Sequence, residues 1–330
     1  MRILLIGGTQ FIGRHLVAAL CKAGHDITVM HRKPGHDLGK KVANLQADRN
    51  DLSQVKSALS GKAFDAVFDL VYDWEKGTPA NAVEGTAKIL TGSISRYIFV
   101  SSVAAYGDGL NHHEGDALAA DDHPDRYARQ KAMTERALFR LHQRHGTPAV
   151  TVRPPFIYGP GNPFYREQFF WDRIRDKRPI LLPGDGRRLM QFVHVKDLVT
   201  ACIKLLDCPN AVGHAFNIAN ARPLTQAELV DALAAAAGKQ AQVLRIPRER
   251  IVRAGGSARG PQLYFGMALD LPPITMVISK AQRVLGFKAT PFAEGLKESY
   301  KWYLRHHTKL ETDYSFENEI MGRERSQLAS

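Results

Sequence analysis

The 330-residue sequence predicts an α/β fold, a doubly wound parallel sheet covered by helices on both faces, with a smaller C-terminal lobe. Three observations carry this. Short aliphatic runs alternate with stretches of helical periodicity through the first 150 residues. The first run breaks into a glycine-rich turn that opens a helix. Past Arg153 the rhythm gives way to Pro154, Pro155, Pro160, Pro163, Pro179 and Pro183 with four accompanying glycines, which reads as a lobe built partly from loops.

Taken in order, residues 3–6 form a strand, Gly7-Gly8 a turn, and the apolar-periodic stretch 11–20 a helix that ends at Gly24. Further strands are expected near 26–30, 42–47, 64–69, 96–101 and 148–152, with helices near 51–60, 80–92 and 124–145. Residues 191–206 read as a short strand and helix and 215–218 as another strand, so the chain revisits its first domain before finishing in the lobe. The predicted division is 1–157 plus 191–219 for a dinucleotide-binding domain and 158–190 plus 220–308 for a substrate lobe. Residues 309–330 are expected to be a mobile polar tail.

Composition excludes several classes. A chain that is 44% hydrophobic can bury a large core without staples. Cys21, Cys202 and Cys208 share no metal-ligand spacing and are too few for a disulfide framework, which points to a reducing, cytoplasmic setting. The first apolar run is four residues long, so neither a signal peptide nor a membrane span is expected there, and no later run reaches membrane length. The formal charge of +12 suggests phosphate binding, but the basic residues are scattered and lack interleaved aromatics, which fits an anionic cofactor or a solvated surface better than a nucleic-acid track.

The turn after the first strand reads Gly7-Gly8-Thr9-Gln10-Phe11-Ile12-Gly13. Small residues are needed where backbone must approach a pyrophosphate, whose charge then faces the N-terminus of the following helix. A strand–turn–helix of this kind at the head of a parallel-sheet pattern predicts a Rossmann-type dinucleotide site. The second strand runs into His31-Arg32-Lys33, where an NAD-selective site would present an acid to the ribose hydroxyls. Arg32 and Lys33 suit a 2′-phosphate instead, so NADP(H) is favoured and NAD(H) stays possible. Asp48, after the third strand, is placed to meet an adenine amino group.

Two segments carry the expected chemistry. Ser101-Ser102 follows the fifth strand, and Tyr127-Ala128-Arg129-Gln130-Lys131 lies on the next long helix. The i,i+4 spacing puts the Tyr127 phenol and the Lys131 ammonium on one helical face. A nearby cation favours the phenolate, so Tyr127 can trade a proton with a substrate hydroxyl or carbonyl while Ser102 holds the same oxygen. His194, alone on an apolar strand, reads as a core residue. The loop His112-His113-Glu114 could border the site mouth, and Asp73-Trp74-Glu75 could shape the nicotinamide side.

In GGTQFIG, YIFVSSVAAYG, YARQK, VRPPFIYGPGN, LLPGDG, FVHVKDL and RVLGF, over roughly residues 1–305, the chain resembles the extended short-chain dehydrogenase/reductase family, also called the NAD-dependent epimerase/dehydratase family. The resemblance implies Ser102, Tyr127 and Lys131 as the catalytic triad, with the nicotinamide near Ser101 and Pro154. The expected cofactor set also takes in Arg49, Leu70, Val71 and Phe156, with Tyr127 and Lys131 themselves. It implies a small-molecule substrate, held between sheet and lobe, and a homodimer formed through helices such as that of Tyr127.

Departures from the family pattern narrow the substrate. Val103-Ala104 replace the Asp-Glu pair of 4,6-dehydratases. Met190-Gln191-Phe192 lacks the diphosphate-gripping arginine of nucleotide-sugar enzymes, for which Arg187 or Arg188 could substitute, and residues 268–275 show no second one. The GGTQFIG turn, the cations after the second strand and the tail DYSFENE also look like a branch of the family that includes chloroplast stem-loop RNA-binding proteins. That leaves three activities on one fold: an epimerase, a reductase, and an RNA-binding or ribonuclease-like protein.

Overall fold

The computed structural model describes residues 1–306 and 312–328. The chain divides into two units, one of Met1–Ile157, Phe192–Ala221 and Ile274–Ala289, the other of Tyr158–Gln191, Arg222–Pro273 and Thr290–Ser330.

The first unit is a Rossmann-type α/β fold. The seven strands of its central sheet are β1 (Arg2–Ile6), β2 (Asp26–His31), β3 (Ala43–Gln46), β4 (Ala66–Asp69), β5 (Arg96–Val100), β6 (Ala149–Arg153) and β7 (Ala215–Asn217). All pair in parallel, in the order β7-β6-β5-β4-β1-β2-β3. Alternation along each strand feeds two cores. Ile3 and Leu5 of β1 join Leu16, Val17 and Leu20 of α1 (Phe11–Lys22) and Leu198 and Cys202 of the helix Val195–Lys204. Leu4 and Ile6 face the other way, against Val55 of α2 (Leu52–Leu59), Val83 and Ala87 of α3 (Ala80–Leu90) and Leu138 and Leu141 of α4 (Arg126–His145). Strands buried on both faces need near-continuous apolar sequence, which is why the run 3–6 shows no alternation.

The chain moves outward in one direction from β1 through β2 to β3 and in the other from β4 to β7. The reversal falls between β1 and β4, and a crevice at the carboxyl ends of two such strands is where open α/β sheets bind ligands. The turn after β1 and the loop after β4 both open there.

Residues 274–289, expected in the lobe, belong to the first unit because Ile274–Met276 pairs in parallel with Gly109–His112 and Ile278, Ala281 and Leu285 enter its core. In the second unit, Ile180–Pro183 pairs in parallel with Val243–Ile246, and the helix Gln226–Ala236 starts in a capping box made by Thr225 and Glu228. The expected mobile tail is ordered over part of its length. Ser315–Leu328 is a helix whose Glu317 and Ile320 are buried, and Glu317 forms an ion pair with buried Arg173. Part of that tail, residues 309–311 and 329–330, lies outside the described residues.

Candidate active site

The glycine turn is as tight as its composition demands. Gly7 sits at φ +93°, and a Cβ there would lie 2.5 Å from Val71 Cγ2. One on Gly13 would lie 2.5 Å from the Gly7 carbonyl oxygen, so the first turn of α1 is packed directly on the loop. Gln10, at the N-cap of α1, supplies no side-chain cap to the helix. The first-turn N–H groups, from Phe11 onward, are therefore left to another acceptor. Thr9 is half-buried, Phe11 is buried, and Ile12 packs against the core. This cradle fits a dinucleotide pyrophosphate.

At the end of β2, His31 Nε2 lies 2.6 Å from Asn44 Oδ1, and burial chiefly lowers its pKa. Arg32 is largely exposed, and its Nη1 reaches Asp73 Oδ2 at 3.1 Å in the loop after β4. Lys33 is exposed. The Asp48 carboxylate accepts the Asn50 N–H at 2.9 Å, while its own N–H donates to Gln54. Leu70 hydrogen-bonds through its N–H to the Ile6 carbonyl, which sets Val71 against Gly7.

Arg49 is turned away from the crevice. Buried, it pairs with Asp69, donates to Thr86 Oγ1 at 2.6 Å and to the Ala82 carbonyl at 3.2 Å, and lies 3.3 Å from the Tyr97 hydroxyl. Its guanidinium is part of the scaffold. Ser101 has a similar fate, since its hydroxyl donates to Glu135 Oε1 at 2.5 Å.

Ser102 caps the short 3-10 turn Val103–Tyr106, accepting the Ala104 N–H at 3.1 Å. Its own O–H retains one proton to donate. Helix α4 is capped by Asp125, whose carboxylate accepts the N–H of Tyr127 at 2.8 Å and of Ala128 at 3.2 Å. That cap places the phenol in the first turn and Lys131 one turn on. Lys131 is buried, and its Nζ donates to the Val100 carbonyl at 2.7 Å, which fixes the ammonium beside the end of β5. The same Nζ is 5.8 Å from the Tyr127 ring centre and 4.5 Å from that of Phe99. Burial pushes the Lys131 pKa down to about 8, against the opposing pull of Asp69 and Glu135.

Tyr127 is covered by aromatic rings from the loop after β4. Trp74 stacks on it with centroids 4.9 Å apart, and Tyr72 meets it edge-on at 4.7 Å. The loop is fastened to α4, because Gln130 Oε1 accepts from the Tyr72 hydroxyl at 2.8 Å and the Thr78 N–H at 3.1 Å, and Arg126 donates to the carbonyls of Trp74 and Glu75. Pro154 is buried and accepts the Val103 N–H through its carbonyl, and Phe156 rests against Phe192.

Sequence reasoning missed the charged layer beneath the site. Glu135 is fully buried, takes Arg153 at 2.7 Å, and also accepts from Ser101 and Thr151. Arg153 continues to the Tyr106 hydroxyl at 2.7 Å, which donates to Asn217 at 2.8 Å. A signal for Glu135 was present, since Tyr127, Lys131 and Glu135 recur every four residues and so share one stripe of α4. His112 stacks on Tyr106 and Glu114 accepts the Asn217 N–H, so that loop supports this layer. His194, the last residue of the strand Phe192–His194, is buried between the core residues Val193 and Val195. In the second unit, Arg188 pairs with Asp270 at 3.1 Å, a carboxylate that also takes Arg248 and the Tyr264 hydroxyl. Arg187 is exposed. Among the described residues no group of three or more His, Cys, Asp or Glu is arranged to hold a metal ion, and no helix is long and apolar enough to cross a membrane.

A parallel sheet with a glycine cradle at its switch point, and a serine, tyrosine and lysine around the neighbouring strand end, define a Rossmann-fold protein of the short-chain dehydrogenase/reductase type. The chain belongs to the NAD dependent epimerase/dehydratase family, whose pattern matches residues 3–219. It is 32% identical to the chloroplast stem-loop binding protein of 41 kDa b of Arabidopsis thaliana, over 98% of this chain and 84% of that protein. Identity to the dTDP-4-dehydro-6-deoxy-D-allose reductase of Streptomyces bikiniensis is 24%, over 93% of this chain and 97% of that one. Among solved structures, a putative epimerase from Burkholderia cenocepacia shares the fold with a TM-score of 0.75 at 23% identity, covering 91% of this chain and 97% of that one. UDP-glucuronic acid 4-epimerase from Bacillus cereus, in complex with NAD, does so with a TM-score of 0.73 at 18% identity, covering 93% and 100%.

Proposed function

We propose that this protein catalyses reversible oxidoreduction at a secondary alcohol or ketone of a sugar-like small molecule, with NADP(H) favoured over NAD(H). The observation that carries the reading is the buried Lys131 ammonium, pinned to the Val100 carbonyl and 5.8 Å from the Tyr127 ring. Such a cation has little to do in a scaffold and much to do beside a phenol that must ionise. Gly7, Thr9 and the first turn of α1 at Phe11, Ile12 and Gly13 hold the pyrophosphate. Asp48 meets the adenine, Arg32 and Lys33 receive the 2′-phosphate, and Leu70, Val71, Pro154 and Phe156 line the path to the nicotinamide. When bound, the nicotinamide supplies the two-electron acceptor or donor.

The protein's own residues manage the proton and the geometry. Tyr127 Oη takes the proton from the substrate hydroxyl during oxidation and returns one to the carbonyl oxygen during reduction. Lys131 stabilises the phenolate between those steps. Ser102 donates its remaining proton to the same substrate oxygen, holding it in line with Tyr127. The Trp74 and Tyr72 rings exclude water from the phenol and offer an apolar wall to a sugar ring face.

Tyr127→Phe should lower turnover by about 10²- to 10⁴-fold with cofactor affinity nearly unchanged; unaltered turnover removes Tyr127 from this role. Mass spectrometry of the protein purified without added cofactor separates the two chemical outcomes. A retained stoichiometric dinucleotide favours an epimerase, which regenerates its cofactor each cycle, and a readily exchanged one favours a reductase. A second reading has its own support in the similarity over nearly the whole chain to a stem-loop binding protein and in the +12 formal charge. Under it, an RNA stem-loop binds tightly with a steep salt dependence and no nicotinamide nucleotide binds.

A further inference from the structure

Asp73 sits where two parts of the candidate site meet. Its Oδ2 accepts Arg32 Nη1 at 3.1 Å from the end of β2. Its Oδ1 accepts the N–H groups of Glu75 and Lys76 at 3.0 and 2.9 Å, and its own N–H donates to Thr78 Oγ1 at 3.0 Å. These backbone bonds, with Arg32 adding to them, hold its carboxyl below the usual range. Its neighbours in sequence, Tyr72 and Trp74, are the two residues whose rings cover Tyr127. The Asp73 side chain is 9% exposed, whereas that of Arg32 is 63% exposed.

We propose that Asp73 is a specificity-determining residue, and that the Arg32–Asp73 pair is a latch across the crevice that a 2′-phosphate opens and a bare ribose does not. The inference rests on the cofactor reading above. Arg32 leaves β2 and Asp73 follows β4, and β1 with its glycine cradle lies between those strands. The pair therefore spans the strand end over which the dinucleotide passes. A phosphate dianion outcompetes a carboxylate already satisfied by two backbone N–H groups, so Arg32 moves to the cofactor. The loop then loses its tie to β2 while keeping its ties to α4. The aromatic cover of Tyr127 is thus adjusted only when the phosphorylated cofactor is seated.

The experiment is calorimetric titration of the whole protein with NADPH, NADH, adenosine 2′,5′-bisphosphate and AMP, for wild type, Asp73→Asn, Arg32→Gln and the double variant. Asn retains the acceptor that caps Glu75 and Lys76, and circular dichroism verifies that each variant is folded. Asp73→Asn is expected to tighten NADPH and the bisphosphate by about two- to fivefold, the worth of an exposed pair, with NADH and AMP unchanged. Arg32→Gln weakens the two 2′-phosphorylated probes by roughly tenfold or more, and Asp73→Asn then adds nothing. Trp74 fluorescence, taken as the difference from Trp74→Phe, should change on adding the bisphosphate and not on adding AMP. Equal effects of Asp73→Asn on all four probes, or tightening that persists in the Arg32→Gln background, overturn the latch and leave the enzyme reading intact. Absence of binding by all four probes overturns both.

Discussion

Arg49 and Arg32 follow the neighbouring strands β3 and β2, and each pairs with an aspartate at or just beyond the end of β4. Their settings differ sharply. Side-chain exposure is 5% and 0% for Arg49 and Asp69, and 63% and 9% for Arg32 and Asp73. In the first pair both charges have left water; Thr86, the Ala82 carbonyl and Tyr97 take up part of their hydrogen-bonding capacity, while Arg49 Nε and Asp69 Oδ1 are buried without a hydrogen-bond partner among the described residues. Such a pair cannot part without exposing a bare charge to a low dielectric, so it behaves as scaffold. In the second pair the arginine is still hydrated, and exchanging its partner costs little. Two cations that look alike in sequence are therefore divided by burial into one that holds the strands and one that can meet a ligand.

The largest expected effect breaks the buried pair. Arg49→Leu leaves Asp69 charged and unpaired, and should cost about 3–5 kcal/mol in urea unfolding, whereas Arg49→Leu with Asp69→Leu should recover much of that loss. A loss no greater than that of a surface variant contradicts the scaffold role.

Lys131 sharpens the comparison as a third cation, buried like Arg49 but with its hydrogen bond going to a carbonyl and not to a carboxylate. Its pKa is near 8 in the fold against 10.5 when exposed. Between those values the unfolded chain carries the extra proton, so stability rises with pH through that window; the penalty of the buried charge is in full force below pH 8 and is relieved above it. The wild type should therefore gain up to about 3 kcal/mol relative to Lys131→Met between pH 8 and 10.5. Parallel stability curves for the two proteins refute this assignment.

The smallest effect belongs to the exposed pair. Arg32→Gln should change unfolding free energy by less than about 1 kcal/mol, and any larger loss makes Arg32 scaffold after all.

The seven-strand parallel sheet was legible because its determinants are local. The unbroken apolar run of residues 3–6, the helical spacing of Leu16, Val17 and Leu20, and the break at Gly7 each follow from a few adjacent residues, and the order of elements along the chain then restricts the topology. Tyr127, Lys131 and the glycine turn were legible for the same reason, each being a spacing within one element. Glu135 and Arg153 were not. They belong to residue types that are mostly exposed, and their burial depends on a pairing between a helix and a strand. The segment 274–289 was misplaced because three residues, Ile274–Met276, bind it to a strand more than 160 positions earlier.

By itself, then, the sequence determined the family, the sheet and the identity of the proton-handling candidates, since periodicity and short spacings are properties of a stretch of chain. Only tertiary structure decided what each charge is for. Arg49 was turned inward by Asp69, Ser101 was committed to Glu135, and Arg32 was left at the surface against Asp73. The physical reason is that a charge takes its role from its dielectric surroundings and its partner, and both come from residues far away in sequence.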